Sequence, residues 1–218
     1  MSYKATSCGS YKALSRLIKV DLHIPTRRFG LKQILRNDDS EILRQPKHYE
    51  KLNKKQLSSI CVFCNDEAIN EGLIVESEHF RCLYNIRPVF PGHVLIMPKR
   101  HLSCIEYIES SEAQEYLAFT QNIIKALKRV YSTDSINVLV QEGPHSGQSI
   151  QHLHTHFLPR TSDDIPKTKD GTGVEEDQEW MDFFRKQEHT GLMLDATERQ
   201  LEAKRIREVY FDLINKKH

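Results

Sequence analysis

The chain has 218 residues and a formal net charge of +1. That length holds one sizeable core with decorated ends, and the near-neutral charge gives no bulk attraction to nucleic acid or a membrane surface. No apolar run approaches the roughly 18 residues that a membrane span needs, and five cysteines (Cys8, Cys61, Cys64, Cys82, Cys104) are too few and odd in number for a secreted disulfide framework, which favours a reducing compartment.

The first 36 residues carry eight Lys/Arg and one acidic residue, Asp21. That balance fits either a mitochondrial transit segment or a basic arm, and it lacks the apolar stretch of a secretory signal. Residues 1–56 are polar, with an amphipathic patch near Tyr11–Val20 but no sustained period, and they read as an extension outside the core. From Leu73 the pattern turns to β: Phe80 to Asn85 alternates, and Val94-Leu95-Ile96-Met97 is a short buried run behind the Pro91-Gly92 turn. Ser110 or Ser111 is placed to cap a helix with Glu112 in its first turn. Ala113, Tyr116, Leu117, Thr120, Ile123, Ile124, Leu127 and Val130-Tyr131 then recur at helical spacing. Ile136 to Gln141 reads as a further strand, a Gly-Pro turn follows, and Ile150 to Leu158 reads as the last strand. Residues 161–177 read as a loop. Helical stretches follow around Glu179–Gln187 and Thr197–Asn215, the second striped by Leu201, Ile206, Val209-Tyr210 and Leu213. The order strand–strand–helix–strand–strand predicts an α+β antiparallel meander with one long helix, plus C-terminal helices.

The last strand holds His152, His154 and His156 at period two. On a β-strand alternate side chains leave the same face, which aligns three imidazoles at spacings of about 7 Å and sends Leu153, Thr155 and Phe157 the other way. Imidazole suits nucleophilic, acid–base and metal work near neutral pH, so the row reads as an active-site strand, with an exposed histidine-rich strand or a metal tract as alternatives. Gly147-Gln148-Ser149, just upstream, offers backbone N–H groups to an anion, with the Gln148 and Ser149 side chains beside them. Cys61-Val62-Phe63-Cys64 taken alone is either redox-active or incidental. Cys82 and Cys104 read as small core residues. Trp180 and Phe183-Phe184 suit packing of a short helix, or contact with a nucleobase.

Gln141-Glu142-Gly143-Pro144-His145-Ser146-Gly147-Gln148-Ser149-Ile150-Gln151 runs directly into His152-Leu153-His154-Thr155-His156-Phe157-Leu158-Pro159-Arg160. Upstream stands Tyr84-Asn85-Ile86-Arg87-Pro88-Val89-Phe90-Pro91-Gly92-His93-Val94-Leu95-Ile96-Met97-Pro98-Lys99-Arg100-His101. Together these blocks resemble the histidine-triad nucleotide hydrolase and transferase superfamily, most closely its fragile-histidine-triad branch of dinucleoside polyphosphate hydrolases. The resemblance divides the chain into an extension at 1–56, a histidine-triad domain at 57–165, and a loop with C-terminal helices packing on it at 166–218.

The resemblance implies cleavage of dinucleoside polyphosphates through a nucleotidyl-histidine on His154. His156 would bond a leaving or bridging oxygen, and His93 would support the triad from behind. Asn85 and Gln141 match positions that contact ribose and phosphate, with Gly147, Gln148, Ser149 and His156 around the phosphate. Cys61, Cys64, His101 and His152 match a structural zinc set, in which two thiolates and two imidazoles close a tetrahedron and leave no open position for substrate. The CxxC departs from the best-known members of the branch. Adenosine phosphoramidase and dinucleoside polyphosphate phosphorylase therefore stay open as alternatives, and a nucleotide-binding signalling module with slow turnover is the alternative of another class. A homodimer is implied, with the Ala113–Tyr131 stripe as a candidate surface; neither nucleic acid nor a membrane is expected as a partner. The expected location is the cytoplasm, with the mitochondrion or nucleus as alternatives.

Overall fold

The computed structural model describes residues 37–161, 164, 191–192 and 194–216. The segment up to residue 36, with Cys8 and the Tyr11–Val20 patch, lies outside the described residues. So do most of the 161–177 loop, the Glu179–Gln187 stretch, Trp180, Phe183 and Phe184.

Five strands form one antiparallel sheet in the order β1-β2-β3-β5-β4, made of β1 (Leu73–Glu76), β2 (Phe80–Tyr84), β3 (Val94–Pro98), β4 (Ser135–Val140) and β5 (Thr155–Arg160). The helices are α1 (Asn37–Arg44), α2 (Pro46–Tyr49), α3 (Lys54–Ile60), α4 (Asp66–Asn70), α5 (Ser110–Val130) and α6 (Ala196–Asn215). The α+β meander is as expected, with β1 added as an edge strand. The connection from β3 to β4 carries α5, which leaves β5 free to pair with β3 (Val94↔Phe157, Leu95↔His156, Ile96↔Thr155).

Period-two alternation divides the sheet into two apolar faces. Phe80, Cys82, Val94, Ile96 and Phe157 pack against Phe119, Ile123 and Leu127 of α5 and against Ile206 and Tyr210 of α6. Leu83, Leu95 and Met97 face the other way and meet Leu43, Cys61, Phe63, Cys64 and Ile69. The α5 stripe expected at a dimer surface is thus largely consumed by the chain's own core, and His156, opposite Leu95, belongs to the second face.

Three expectations need correction. Residues up to 56 do not all lie outside the core, because Leu43 of α1 is fully buried and Tyr49 of α2 is nearly so. Two apolar residues too far apart to make a periodic pattern carry that packing. Glu109, rather than Ser110 or Ser111, caps α5: its N–H donates to Glu112 Oε2 at 3.0 Å, because Arg100 holds Glu112 in place with paired bonds of 2.8 and 2.7 Å. The histidine strand starts at Thr155 rather than Ile150. His152 N–H bonds back to the Ile150 carbonyl and Leu153 N–H bonds to the Leu102 carbonyl, so this stretch leaves the sheet ladder. Of the three histidines, only His156 is a strand residue.

The turn before His93 depends on Gly92. Its φ is +81°, and a Cβ there would come within 2.3 Å of the Tyr131 ring. Glycine alone meets both conditions.

Candidate active site and metal-binding group

The four expected metal ligands come together from separate elements. Cys61 and Cys64 flank Val62 and Phe63 in a short 3-10 turn after α3, His101 follows β3, and His152 precedes β5. Their Sγ and Nδ1 atoms all lie within 4.8 Å of one another and all four residues are buried. Cys64 Sγ is 3.4 Å from His101 Nδ1 and 3.5 Å from His152 Nδ1, and Cys61 Sγ is 3.5 Å from His152 Nδ1. Each imidazole donates Nε2–H outward to a backbone carbonyl, His101 to Leu43 at 3.0 Å and His152 to Pro98 at 2.9 Å. That fixes the tautomer and leaves a bare Nδ1 facing the thiols, as a metal-bound histidine requires. A hydrogen bond from Cys64 holds the Cys61 thiol well below its ordinary pKa, while the same sharing, with burial, pushes Cys64 up. A second thiolate here needs added positive charge, so the donor set fits a soft cation. The other cluster of this kind among the described residues, Glu78, His79 and Glu115, is partly exposed. It is closed by bonds of 2.5 and 2.8 Å from His79 to Glu115, which tie the β1–β2 turn to α5.

A second group of imidazoles lies beside the first. His154 Nδ1–H donates to the His152 carbonyl at 2.7 Å, which leaves its Nε2 with a free lone pair. Val89 N–H donates to His93 Nδ1 at 3.1 Å, so His93 carries its proton on Nε2 and donates it to His156 Nδ1 at 2.8 Å. His156 in turn carries its proton on Nε2, a buried atom with no partner among the described residues. The His154 and His156 rings are 5.0 Å apart, presenting one bare nitrogen and one N–H. Burial keeps these rings neutral. It pushes His154 below the ordinary imidazole range and lowers His156 to about 3, with the neighbouring His154 adding to the latter. His93 falls well below that range through burial and then through His156 and His154.

The Gly143–Ser149 loop runs into this site. Gly147 has φ +90°, and the Gln141 amide crosses the loop to the Ser146 carbonyl at 2.9 Å. Among the described residues the Gly147 and Ser149 amides meet no protein acceptor, which leaves two donors for an anion. Gln148 does not offer its side chain as expected: Oε1 accepts from Gly143 N–H at 2.8 Å, and Nε2 donates to the Ser103 carbonyl at 3.2 Å. Asn85 leans on the His93 ring, its amide nitrogen 3.1 Å from Nε2, while its oxygen accepts from Arg87 N–H at 3.0 Å.

Sequence reasoning missed the residues that orient these groups. Phe63, between the two cysteines, stands edge-on to His152 and His154 with centroids at 5.8 and 5.2 Å. The Val89 amide sets the His93 tautomer, and the Leu43 carbonyl sets that of His101. Backbone groups carry no residue-type signal. Phe63 sat inside the CxxC, where an apolar residue was the one available sign.

Residues 66–163 match the model of the HIT domain family, a span that begins just beyond Cys64. The chain is 41% identical over 93 residues to the bis(5'-adenosyl)-triphosphatase of Saccharomyces cerevisiae, an alignment covering 42% of this chain and 45% of that one. It is 30% identical over 81 residues to the asymmetrical bis(5'-nucleosyl)-tetraphosphatase of Schizosaccharomyces pombe, covering 37% and 44%. The chain thus spans less than half the length of these curated relatives. Among solved structures, a zinc-bound histidine triad family protein from Mycobacterium smegmatis shares the fold, with a TM-score of 0.52 and 21% identity over 73% of this chain and 99% of that one.

Proposed function

We propose that this chain, whose residues 66–163 match the HIT domain family model, acts as a member of that family and hydrolyses dinucleoside polyphosphates through a covalent intermediate on His154. The observation that carries the proposal is the pair of opposed nitrogens, a bare Nε2 on His154 beside an unpartnered Nε2–H on His156. His154 Nε2 attacks a phosphorus of the phosphoanhydride, forming a P–N bond as the P–O bond to the leaving nucleotide breaks. That nucleotide leaves as a stable phosphate anion and needs no proton; the His156 N–H hydrogen-bonds the oxygen on which charge collects. The Gly147 and Ser149 amides face the non-bridging oxygens. Water then attacks the phosphorus, the P–N electron pair returns to His154, and the water's spare proton goes to solvent. His93, buried behind His156, positions that ring rather than touching substrate.

The curated relatives act on adenosyl triphosphates and nucleosyl tetraphosphates by name, which supports this substrate class. Zinc is the cation that two thiolates and two imidazoles suit best, bound by Cys61, Cys64, His101 and His152. With four protein ligands it would lock the turn after α3 to the entry of β5 and leave the chemistry to His154. A homodimer is supported by β4, whose outer edge bears Val138 at 48%, Leu139 at 36% and Val140 at 39% exposure, an apolar strand edge that suits pairing with a second copy.

The direct test is incubation with a panel of dinucleoside tri- and tetraphosphates in isotopically labelled water, with phosphoramidates and inorganic phosphate as competing arms. One labelled oxygen in a released nucleoside monophosphate is expected. Turnover confined to phosphoramidates, or dependent on added phosphate, would reassign the chain to the phosphoramidase or phosphorylase alternatives.

A further inference from the structure

We infer that Arg44 is a positioning residue for the Gly143–Ser149 loop, acting through a closed ring of four hydrogen bonds; its catalytic consequence rests on the function proposed above. Arg44 Nε donates to Gln151 Oε1 at 3.1 Å. Gln151 Nε2 donates to the Gln148 carbonyl at 3.4 Å, and Gln148 Nε2 donates to the Ser103 carbonyl at 3.2 Å. Ser103 Oγ completes the circuit by donating to the Arg44 carbonyl at 2.8 Å. Each residue gives one bond and receives one.

Three of the four members are almost entirely buried: Ser103 at 1%, Gln151 at 4% and Gln148 at 6% exposure. Buried amides and hydroxyls keep a fixed geometry only while every partner is present, since water cannot replace a lost one cheaply. Arg44 is the charged member and the one supplied from outside the segment that matches the family, so α1 contributes to a loop about 100 positions away in sequence. From Gln148 the constraint passes into the loop, because Gln148 Oε1 holds Gly143 N–H at 2.8 Å and Gln148 N–H holds the Gly143 carbonyl at 3.2 Å. Those bonds pin both ends of the turn whose amides are free for an anion.

The ring also borders the metal-binding group. Leu43, whose carbonyl accepts from His101, precedes Arg44, and Gln151 precedes His152. The residues from 41 to 49 are therefore part of the working site, where their composition suggested an extension. Removing the Arg44 guanidinium leaves Gln151 Oε1 buried without its donor. The amide of Gln151 is then free to turn, the Gln148 carbonyl loses its partner, and the loop amides are no longer held at one spacing. A loop that positions a transition state is sensitive to such slack, because a displacement of about 1 Å costs on the order of a hundredfold in rate.

The test compares wild type, Arg44→Met, Gln151→Leu and the double variant, each purified with its metal, by hydrogen exchange over residues 143–153 and by kcat and KM on diadenosine triphosphate. Arg44→Met is expected to exchange the Gly143 and Gln148 amides about tenfold faster, the size of one lost buried bond, with bound metal and β2–β3 amides unchanged. Its kcat should fall roughly tenfold or more with a smaller change in KM, and the double variant should be no worse than the poorer single one. Unchanged exchange at Gly143 and Gln148 in Arg44→Met overturns the inference, as do additive effects of the two substitutions. Wild type that leaves diadenosine triphosphate intact defeats the proposed activity instead, while the exchange arm still decides the ring.

Discussion

His93→Phe keeps an aromatic ring at a buried position and removes both of its hydrogen bonds. Val89, 3% exposed, would be left with an N–H whose acceptor stood at 3.1 Å, and His156 Nδ1 would lose a donor at 2.8 Å. An orphaned buried polar group costs about 1–3 kcal/mol, so the two together cost about 2–6 kcal/mol. For a domain of this size that lowers Tm by roughly 4–24 °C. The effect on turnover is of another kind, because His93 dictates which nitrogen of His156 carries the proton. The net worth of the bond between them, about 0.5–1.5 kcal/mol, bounds the loss of the productive tautomer and sets a fall in kcat of roughly two- to twelvefold. A group that touches the reacting oxygen would cost a hundredfold or more. Nitrogen-15 NMR of the imidazoles, beside kcat and KM on diadenosine triphosphate, tests the chain of donors directly. His156 should change from a single Nε2–H tautomer to a mixture. A His156 tautomer and kcat both unchanged, with a lowered Tm, would refute control of His156 by His93 and leave His93 a packing residue.

Replacing Cys61 and Cys64 by Ser should abolish stoichiometric metal, lower Tm and leave measurable turnover, as elemental analysis, melting and kinetics on the surviving protein would show; normal stability without metal would make the CxxC incidental. Burial depresses His93 and His156 below the ordinary imidazole value, so the stability they contribute is complete above about pH 6.5 and is lost as pH falls toward the His156 value of about 3, at up to about 1.4 kcal/mol per pH unit for each ring. Denaturant titrations at pH 7.5, 6 and 5 should show that decline, and His156→Asn should flatten it; a flat wild-type profile contradicts neutral burial. Val138→Lys on β4 should yield monomers in sedimentation at micromolar concentration while the fold persists, and a wild-type monomer under the same conditions removes the dimer.

The parts of the site legible in sequence were those that chemistry marks by residue type at fixed spacing. Cys61, Cys64, His101 and His152 converge as their types imply; Ile123, Leu127 and Val130 of α5 and Ile206 and Tyr210 of α6 are buried where their period places them, whereas Ala113, Leu117 and Leu201 of the same stripes are exposed. His156 lies on the face that its spacing assigns it, because Leu95 opposite it is on the same side of the sheet. His152 and His154 lie on the same side, with Phe63 of that face edge-on to both, although they precede the strand and owe their directions to bonds with Pro98 and the local backbone. Gln148 departs from expectation for a related reason: an amide in a glycine-flanked loop reads as a substrate contact, and its side chain is instead held by Gly143 and Ser103. Leu43, Arg44 and Tyr49 leave no periodic trace because they lie on helices of eight and four residues, and their value lies in carbonyls and one guanidinium placed by tertiary packing. Arg160, buried on β5 with Asn137 and Asp164 as partners and its guanidinium 4.1 Å from the Phe90 ring centre, likewise gave no sign of anchoring the loop before His93.

The most direct measurement is rapid-quench mass spectrometry of the protein mixed with diadenosine triphosphate. An adenylyl adduct on the peptide containing His154 is expected within the first turnover, absent in His154→Ala, which should still bind nucleotide while losing turnover by several orders of magnitude. An adduct on another residue, or undiminished turnover by His154→Ala, would contradict His154 as the nucleophile.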